Sequence, residues 1–289
     1  MLEILKAVLM GVVEGITEWL PISSTGHMIL VEQVVQFEFS EAFVSMFRVV
    51  IQLGAILAVV LLYFDRLWPF KKLPAGTEEG GTLPQKILLR CDKEKWILWA
   101  KILVASLPAA IIGLPLDDWL DEHLYNAPVV AGMLIVYGVL FLVIEDRRRR
   151  PHIVKMEQLT FRDAVIIGIW QVLALIPGTS RSGATIVGGL LLGTSRPLAA
   201  QFTFYLAIPV MFGASGLKLV KYLAEGNSFT GMEVGALLVG MLVAFLVSVA
   251  AIRFLMNYVK RHSFKVFGWY RIFLGTLVLS VAFGEKVLG

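Results

Sequence analysis

Apolar residues fall in long blocks along the chain, and the polar residues that interrupt them decide what each block becomes. Mostly apolar stretches at 42–64, 95–115, 128–145, 197–220, 232–258 and 266–284 have the length, roughly 17 to 25 residues, that crosses the hydrocarbon core of a bilayer as a helix. Two further stretches, 2–36 and 161–195, are each divided near the middle, by Pro21 and Pro177. Proline removes a helix donor and pushes the preceding residue out of the helical region, so each stretch is predicted as two short helices with a break between them. Broken backbone at membrane depth must be covered by protein or line a wet cavity, because lipid cannot satisfy its freed groups. The pattern predicts an all-α polytopic membrane protein with six transmembrane helices and two re-entrant broken-helix segments.

Composition excludes a soluble domain. Hydrophobic residues make up 57% of 289 and charged residues 17%, against about a quarter charged in soluble proteins, and the mean hydropathy is +0.78. The N-terminal run meets Glu14 and Glu18 without a small-x-small cleavage site, so it reads as a retained segment and not a signal peptide. Cys91 is the only cysteine, which excludes an intrachain disulfide and any CxxC metal or redox site.

Charge between the spans gives orientation. Of the 26 Lys and Arg, seven lie in 65–95, six in 146–162, one is Arg196 and three lie in 259–265, whereas 116–127 carries Asp117, Asp118, Asp121 and Glu122 and no basic residue. The positive-inside rule makes the basic loops cytoplasmic and 116–127 external, with both termini outside. Arg147 to Arg150 reads as a topology anchor, and no nucleic-acid partner is expected. Trp68, Trp96, Trp99 and Trp119 lie near span ends as interface anchors.

The single integral membrane domain, 1–289, divides into halves 1–150 and 151–289 of opposite topology, with three spans each. Gly11-x-x-Glu14 is matched by Gly168-x-x-Gln171, twelve residues separate Glu14 from Gly26 and Gln171 from Gly183, and Ser24-Thr25-Gly26 answers Arg181-Ser182-Gly183. Together these predict an inverted-topology repeat with the functional site where the two broken segments meet.

The polar content of the breaks suggests what that site does. Glu14 and Glu18 share a helix face four residues apart, which costs free energy in water and more in a membrane. After Pro21 a second helix starts at Ser23 or Ser24, with Ser24 and His27 on one face and backbone N–H groups free to bind an anion. Ser23 itself is expected to cap that helix. In Pro177-Gly178-Thr179-Ser180-Arg181-Ser182-Gly183 the glycines permit close backbone approach, Thr179, Ser180 and Ser182 offer hydroxyls, and Arg181 opens a new helix, a combination suited to phosphate. Small residues such as Gly188 and Gly193 are expected only to permit tight packing. Arg253 and Arg271, in or near spans, have no role assigned by the pattern.

EGITEWLPISSTGH and PGTSRSG resemble the two signature motifs of the bacterial undecaprenyl-diphosphate phosphatase family, the bacitracin-resistance proteins, and FRVVIQLGAILAVV is similar to that family's next span. The resemblance runs in order along the whole chain. It implies hydrolysis of undecaprenyl diphosphate to undecaprenyl phosphate and inorganic phosphate, recycling the carrier lipid for peptidoglycan synthesis and conferring bacitracin resistance. It also implies a divalent cation, Mg²⁺ or Ca²⁺, a polyprenyl diphosphate lipid as substrate, and a multi-pass protein of the bacterial inner (plasma) membrane whose site faces the periplasm. A homodimer is compatible with it. By position, the acidic motif is Glu14 and Glu18, the first phosphate motif is Ser24, Thr25, Gly26 and His27, and the second is Thr179, Ser180, Arg181, Ser182 and Gly183. Arg48 departs from the family pattern, where an acidic residue is expected in many members.

Anhydride cleavage needs charge neutralised on the phosphate oxygens, a positioned nucleophile and a proton acceptor. Arg181 and the two helix N-termini serve the first need, and two carboxylates four apart suit a divalent cation completed by phosphate oxygens and water. Ser24 serves as nucleophile with His27 or a carboxylate as its base, or His27 accepts the phosphoryl group directly. The competing class is a lipid flippase or small-molecule transporter on the same inverted repeat, which has no need of a Ser and a His beside paired carboxylates.

Overall fold

A computed structural model describes residues 1–32, 34–71, 90–147 and 150–288. The basic residues within 72–89, together with Arg148 and Arg149, lie outside the described residues. The chain forms α1 (Leu2–Thr17), α2 (Ser24–Glu32), α3 (Glu41–Val50), α4 (Gln52–Leu62), a short α5 (Phe64–Leu67), α6 (Lys93–Leu124), α7 (Ala127–Asp146), α8 (Phe161–Val172), α9 (Arg181–Leu191), α10 (Arg196–Ala224), α11 (Gly231–Val259) and α12 (Lys265–Leu288). Among the described residues six helical stretches are long and apolar enough to cross a membrane: Glu41–Leu62, Lys93–Leu116, Ala127–Asp146, Arg196–Ala224, Gly231–Val259 and Lys265–Phe283. The architecture is all-α and polytopic.

Both broken stretches divide where proline requires. α1 gives way to turns through Pro21 before α2 starts at Ser24, and α8 passes through a 3₁₀ turn at Leu173–Leu175 and the Pro177 break before α9 starts at Arg181. Two details differ from the sequence pattern. The first span bends between α3 and α4 at Ile51, beside Gly54, whose missing Cβ would stand 2.0 Å from the Met241 carbonyl oxygen of α11. The acidic segment expected as a loop continues α6 to Leu124, because loss of apolar character marks the edge of the hydrocarbon and not the end of a helix. Trp68, Trp96 and Trp119 are about half-exposed near span ends, whereas Trp99 turns inward and its Nε1–H donates to the Leu67 carbonyl at 2.7 Å.

The broken stretches pack on spans from the opposite half. α1 lies along α11, with the backbone of Gly11 so near that a Cβ there would be 2.6 Å from the Gly240 oxygen, and α8 lies along α6, where a Cβ on Gly168 would be 2.4 Å from the Ala105 oxygen. Small residues are what let helices approach this closely in a membrane. α7 packs on α12, and α10 packs on α3 and α4.

At one end of the bundle a single carboxylate joins three helices. Glu145 on α7, its side chain fully buried, accepts from Arg196 Nε at 2.8 Å and from the Phe264 N–H at 3.0 Å, tying the start of α10 and the turn before α12 to α7. Removing one partner of a buried pair leaves a charge uncompensated, so Glu145→Ala is expected to cost about 3 to 5 kcal/mol. Thermal unfolding of the detergent-purified protein measures it, and an unchanged midpoint would refute the tie.

Candidate active site

The two helices that begin after the breaks start in the same way. Ser23 and Ser180 precede α2 and α9, and they are the non-glycine residues with positive φ among those described, at 73° and 67°. Such backbone costs on the order of 1 to 3 kcal/mol and persists where the surroundings enforce it. Each hydroxyl caps its helix: Ser23 Oγ accepts from the Gly26 N–H at 3.4 Å and Ser180 Oγ from the Gly183 N–H at 3.2 Å. The cap expected of Ser23 is present, and Ser180 is its counterpart in the second half.

Glu14 and Glu18 keep the helical i, i+4 relation, since the Glu18 N–H donates to the Glu14 oxygen at 3.0 Å. Both are buried. Arg181 Nη2 forms an ion pair with Glu18 Oε1 and lies 3.5 Å from the Met211 sulfur, so the first residue of α9 grips the last turn of the first broken arm across 163 positions of sequence. The other carboxylate oxygen, Glu18 Oε2, accepts from Ser24 Oγ–H at 3.2 Å. Arg181, Glu18 and Ser24 thus form one continuous chain of contacts through both breaks. Glu14 Oε1 and Arg181 Nη1 are buried and lack a hydrogen-bond partner among the described residues. Buried polar atoms without partners on either side of an ion pair are costly, and together they mark a place suited to receiving a ligand.

His27 is not part of that chain. Its Nδ1 lies 2.7 Å from the Ser23 carbonyl oxygen, which can only accept, and its Nε2 lies 2.7 Å from the Tyr270 hydroxyl. A neutral ring therefore carries its proton on Nδ1 and accepts from Tyr270, whose ring stacks on it with centroids 5.6 Å apart. Both nitrogens are engaged by α12 and the break, and Ser24 turns to Glu18.

The second motif's hydroxyls serve largely as mortar. Ser182 Oγ lies 3.1 Å from Ser180 Oγ and 3.4 Å from the Leu20 oxygen, which links the start of α9 to the first break. Thr179 is fully buried with its Oγ1 unpartnered among the described residues. Gln171, which stands where Glu14 stands in the first half, has neither amide atom partnered among the described residues. Gly26 and Gly183 are buried within the first turns of their helices.

A cavity of about 1020 Å³ leads to this chain of contacts. Its inner end is lined by Glu14, Ser24 and Thr25, and Arg48, Gln52 and Lys218 stand on its wall. Its outer wall is Leu114 of α6 with Phe212, Leu217 and Val220 of α10, all of them exposed apolar side chains. Exposed apolar side chains of two spans therefore form part of the cavity's wall. Glu18 and Arg181 stand behind Ser24, off its lining, as do His27, Thr179, Ser180 and Ser182.

Among the described residues no three His, Cys, Asp or Glu side chains cluster as a metal cage. Glu14 and Glu18 nonetheless fit a hard divalent cation such as Mg²⁺, which takes one or two carboxylates and completes its shell with phosphate oxygens and water. The unpartnered Glu14 Oε1 is the atom such an ion would engage.

A model of the bacitracin resistance protein BacA family matches residues 7–277. A protein of Enterococcus faecalis named undecaprenyl-diphosphatase is 53% identical over 277 residues, covering 95% of this chain and 96% of that protein. Proteins of the same name from Lactiplantibacillus plantarum and Streptococcus thermophilus are 52% identical over 282 residues and 54% identical over 290, covering 97% and 100% of this chain and 98% and 96% of theirs.

Proposed function

The chain belongs to the bacitracin resistance protein BacA family, and from that premise we propose that it is an undecaprenyl-diphosphatase working at the Arg181–Glu18–Ser24 chain of contacts. The substrate is undecaprenyl diphosphate and the products are undecaprenyl phosphate and inorganic phosphate, which returns the carrier lipid to peptidoglycan synthesis. The observation that carries this reading is the cavity, whose exposed apolar wall on two spans suits a prenyl chain while Glu14, Ser24 and Thr25 on the same lining suit a headgroup.

Ser24 Oγ attacks the terminal phosphorus while its proton passes to Glu18 Oε2, the acceptor 3.2 Å away. The anhydride P–O bond breaks, the lipid phosphate leaves with the electron pair, and water then hydrolyses the phosphoserine with Glu18 managing the proton. Negative charge on the transferred group is met by the first amides of α2 and by Arg181, whose Nη1 supplies a donor beyond the one held by Glu18. A divalent cation held by Glu14 and Glu18 would neutralise further charge on the phosphate oxygens. Capping by Ser23 and Ser180 fixes where both helix ends point.

The architecture proposed around this chemistry is an inverted repeat with two re-entrant segments, supported by the matched Ser23 and Ser180 geometry and by the reciprocal packing of α1 on α11 and α8 on α6. It sits in the bacterial plasma membrane with the active site toward the outer side, a reading supported by the distribution of Lys and Arg between the spans. Purified full-length protein is expected to release phosphate from a polyprenyl diphosphate, to lose at least nine-tenths of that rate on treatment with a chelator, and to regain it with Mg²⁺ or Ca²⁺. Absence of release with metal present would defeat the assignment, and chelator-resistant release would defeat the metal's part in it.

A further inference from the structure

Arg271 stands in the second turn of α12, an apolar span, and its side chain is wholly buried. Among the described residues no carboxylate pairs with it. The two terminal nitrogens of its guanidinium instead donate to carbonyl oxygens of both breaks, while Nε has no partner among the described residues: Nη1 donates to Pro21 at 3.2 Å, and Nη2 donates to Gly178 at 2.8 Å and Thr179 at 2.9 Å, with the Met133 oxygen of α7 at 3.4 Å. The Tyr137 ring lies 5.4 Å from its central carbon, a cation–π contact that compensates part of the lost hydration. A Cβ on Gly183 would come within 3.2 Å of Nη1, so the guanidinium lies directly beneath the first turn of α9.

A break in a membrane helix leaves carbonyls that neither helix nor water satisfies. Arg271 satisfies one from the first break and two from the second with a single rigid plane. That plane sets the spacing between the segment bearing Glu18 and Ser24 and the segment bearing Arg181. An ammonium could neutralise one of these carbonyls but has no fixed fork with which to hold both.

We infer that Arg271 is a positioning residue that clamps the two breaks together at the separation turnover requires, without touching substrate. The inference rests on the phosphatase reading. Its test compares kcat and KM of the full-length protein with those of Arg271→Lys and Arg271→Gln, per folded molecule, on a polyprenyl diphosphate. The clamp predicts kcat lowered about 100-fold or more in Arg271→Gln, KM within threefold, and less than a tenth of the rate recovered by Arg271→Lys although it keeps the charge. Full activity in Arg271→Lys would overturn the clamp in favour of bare charge, and a raised KM at unchanged kcat would make Arg271 a substrate contact. A loss of rate that only tracks the folded fraction would leave it merely structural and likewise overturn the inference. If neither variant folds, Tyr137→Leu decides: it removes the ring beneath the guanidinium and is expected to lower kcat several-fold at constant KM, and unaltered kcat overturns the clamp. Release of phosphate by the unaltered protein in the same assay keeps a failure of the clamp distinct from a failure of the phosphatase assignment.

Discussion

Arg181→Ala and Glu18→Gln are each expected to lower phosphate release by about 10³-fold or more, because each removes charge that faces the phosphoryl group as it is transferred. A buried ion pair makes this prediction sharper than a bare loss of activity. Either single change leaves one buried charge without its partner, a loss of about 3 to 5 kcal/mol, so reduced folding accompanies reduced turnover. In the double variant Glu18→Gln with Arg181→Gln the charges leave together, and thermal stability is expected to recover toward that of the unaltered protein while turnover stays low. Parallel recovery of both would mean that the pair serves only the fold. Melting temperature and phosphate release measured on the same preparations separate the two outcomes.

The second large effect concerns Ser24 and His27, which the sequence puts on one face of α2. Ser24→Ala is expected to abolish turnover to below about 10⁻⁴ of the original rate, since no other atom there can accept the phosphoryl group. His27→Ala is expected to cost about 10²-fold or less, the low end of what a positioned acid or base supplies. The asymmetry follows from the hydrogen bonds: Ser24 donates to Glu18, whereas both His27 nitrogens are engaged by the Ser23 carbonyl and Tyr270. If Tyr270 matters only through His27, Tyr270→Phe should reproduce part of the His27→Ala loss and add nothing to it, as expected for residues acting as one unit. Steady-state rates of the single and double variants check this.

These effects reach back to different kinds of legibility in the sequence. Spans and breaks were readable because apolar length and proline act locally. Glu14, Glu18 and Arg181 were readable because charge at membrane depth has to be accounted for. The end of α6 was not, since helix propensity continues through acidic residues after the apolar run stops. Nor was the positive φ of Ser23 and Ser180, because serine carries no local signature for it and the surrounding packing imposes it. His27 and Ser24 are three residues apart, yet which neighbour each one faces depends on Tyr270, 243 positions away. Arg271 was visible as a misplaced charge but could not be interpreted, because its acceptor at Pro21 lies 250 positions away and is a backbone carbonyl, which no side-chain pattern reveals.

In the proposed reaction Ser24, primed by Glu18, takes the phosphoryl group. Rapid quench of the full-length protein with substrate labelled on the terminal phosphate, followed by acid and base treatment of the recovered protein, tests it most directly. Attack by Ser24 predicts label on that residue that survives acid and is lost in base, formed no more slowly than phosphate is released and absent from Ser24→Ala. An acid-labile label on His27, or a Ser24→Ala protein that keeps a tenth of its turnover with no covalent species, would contradict it.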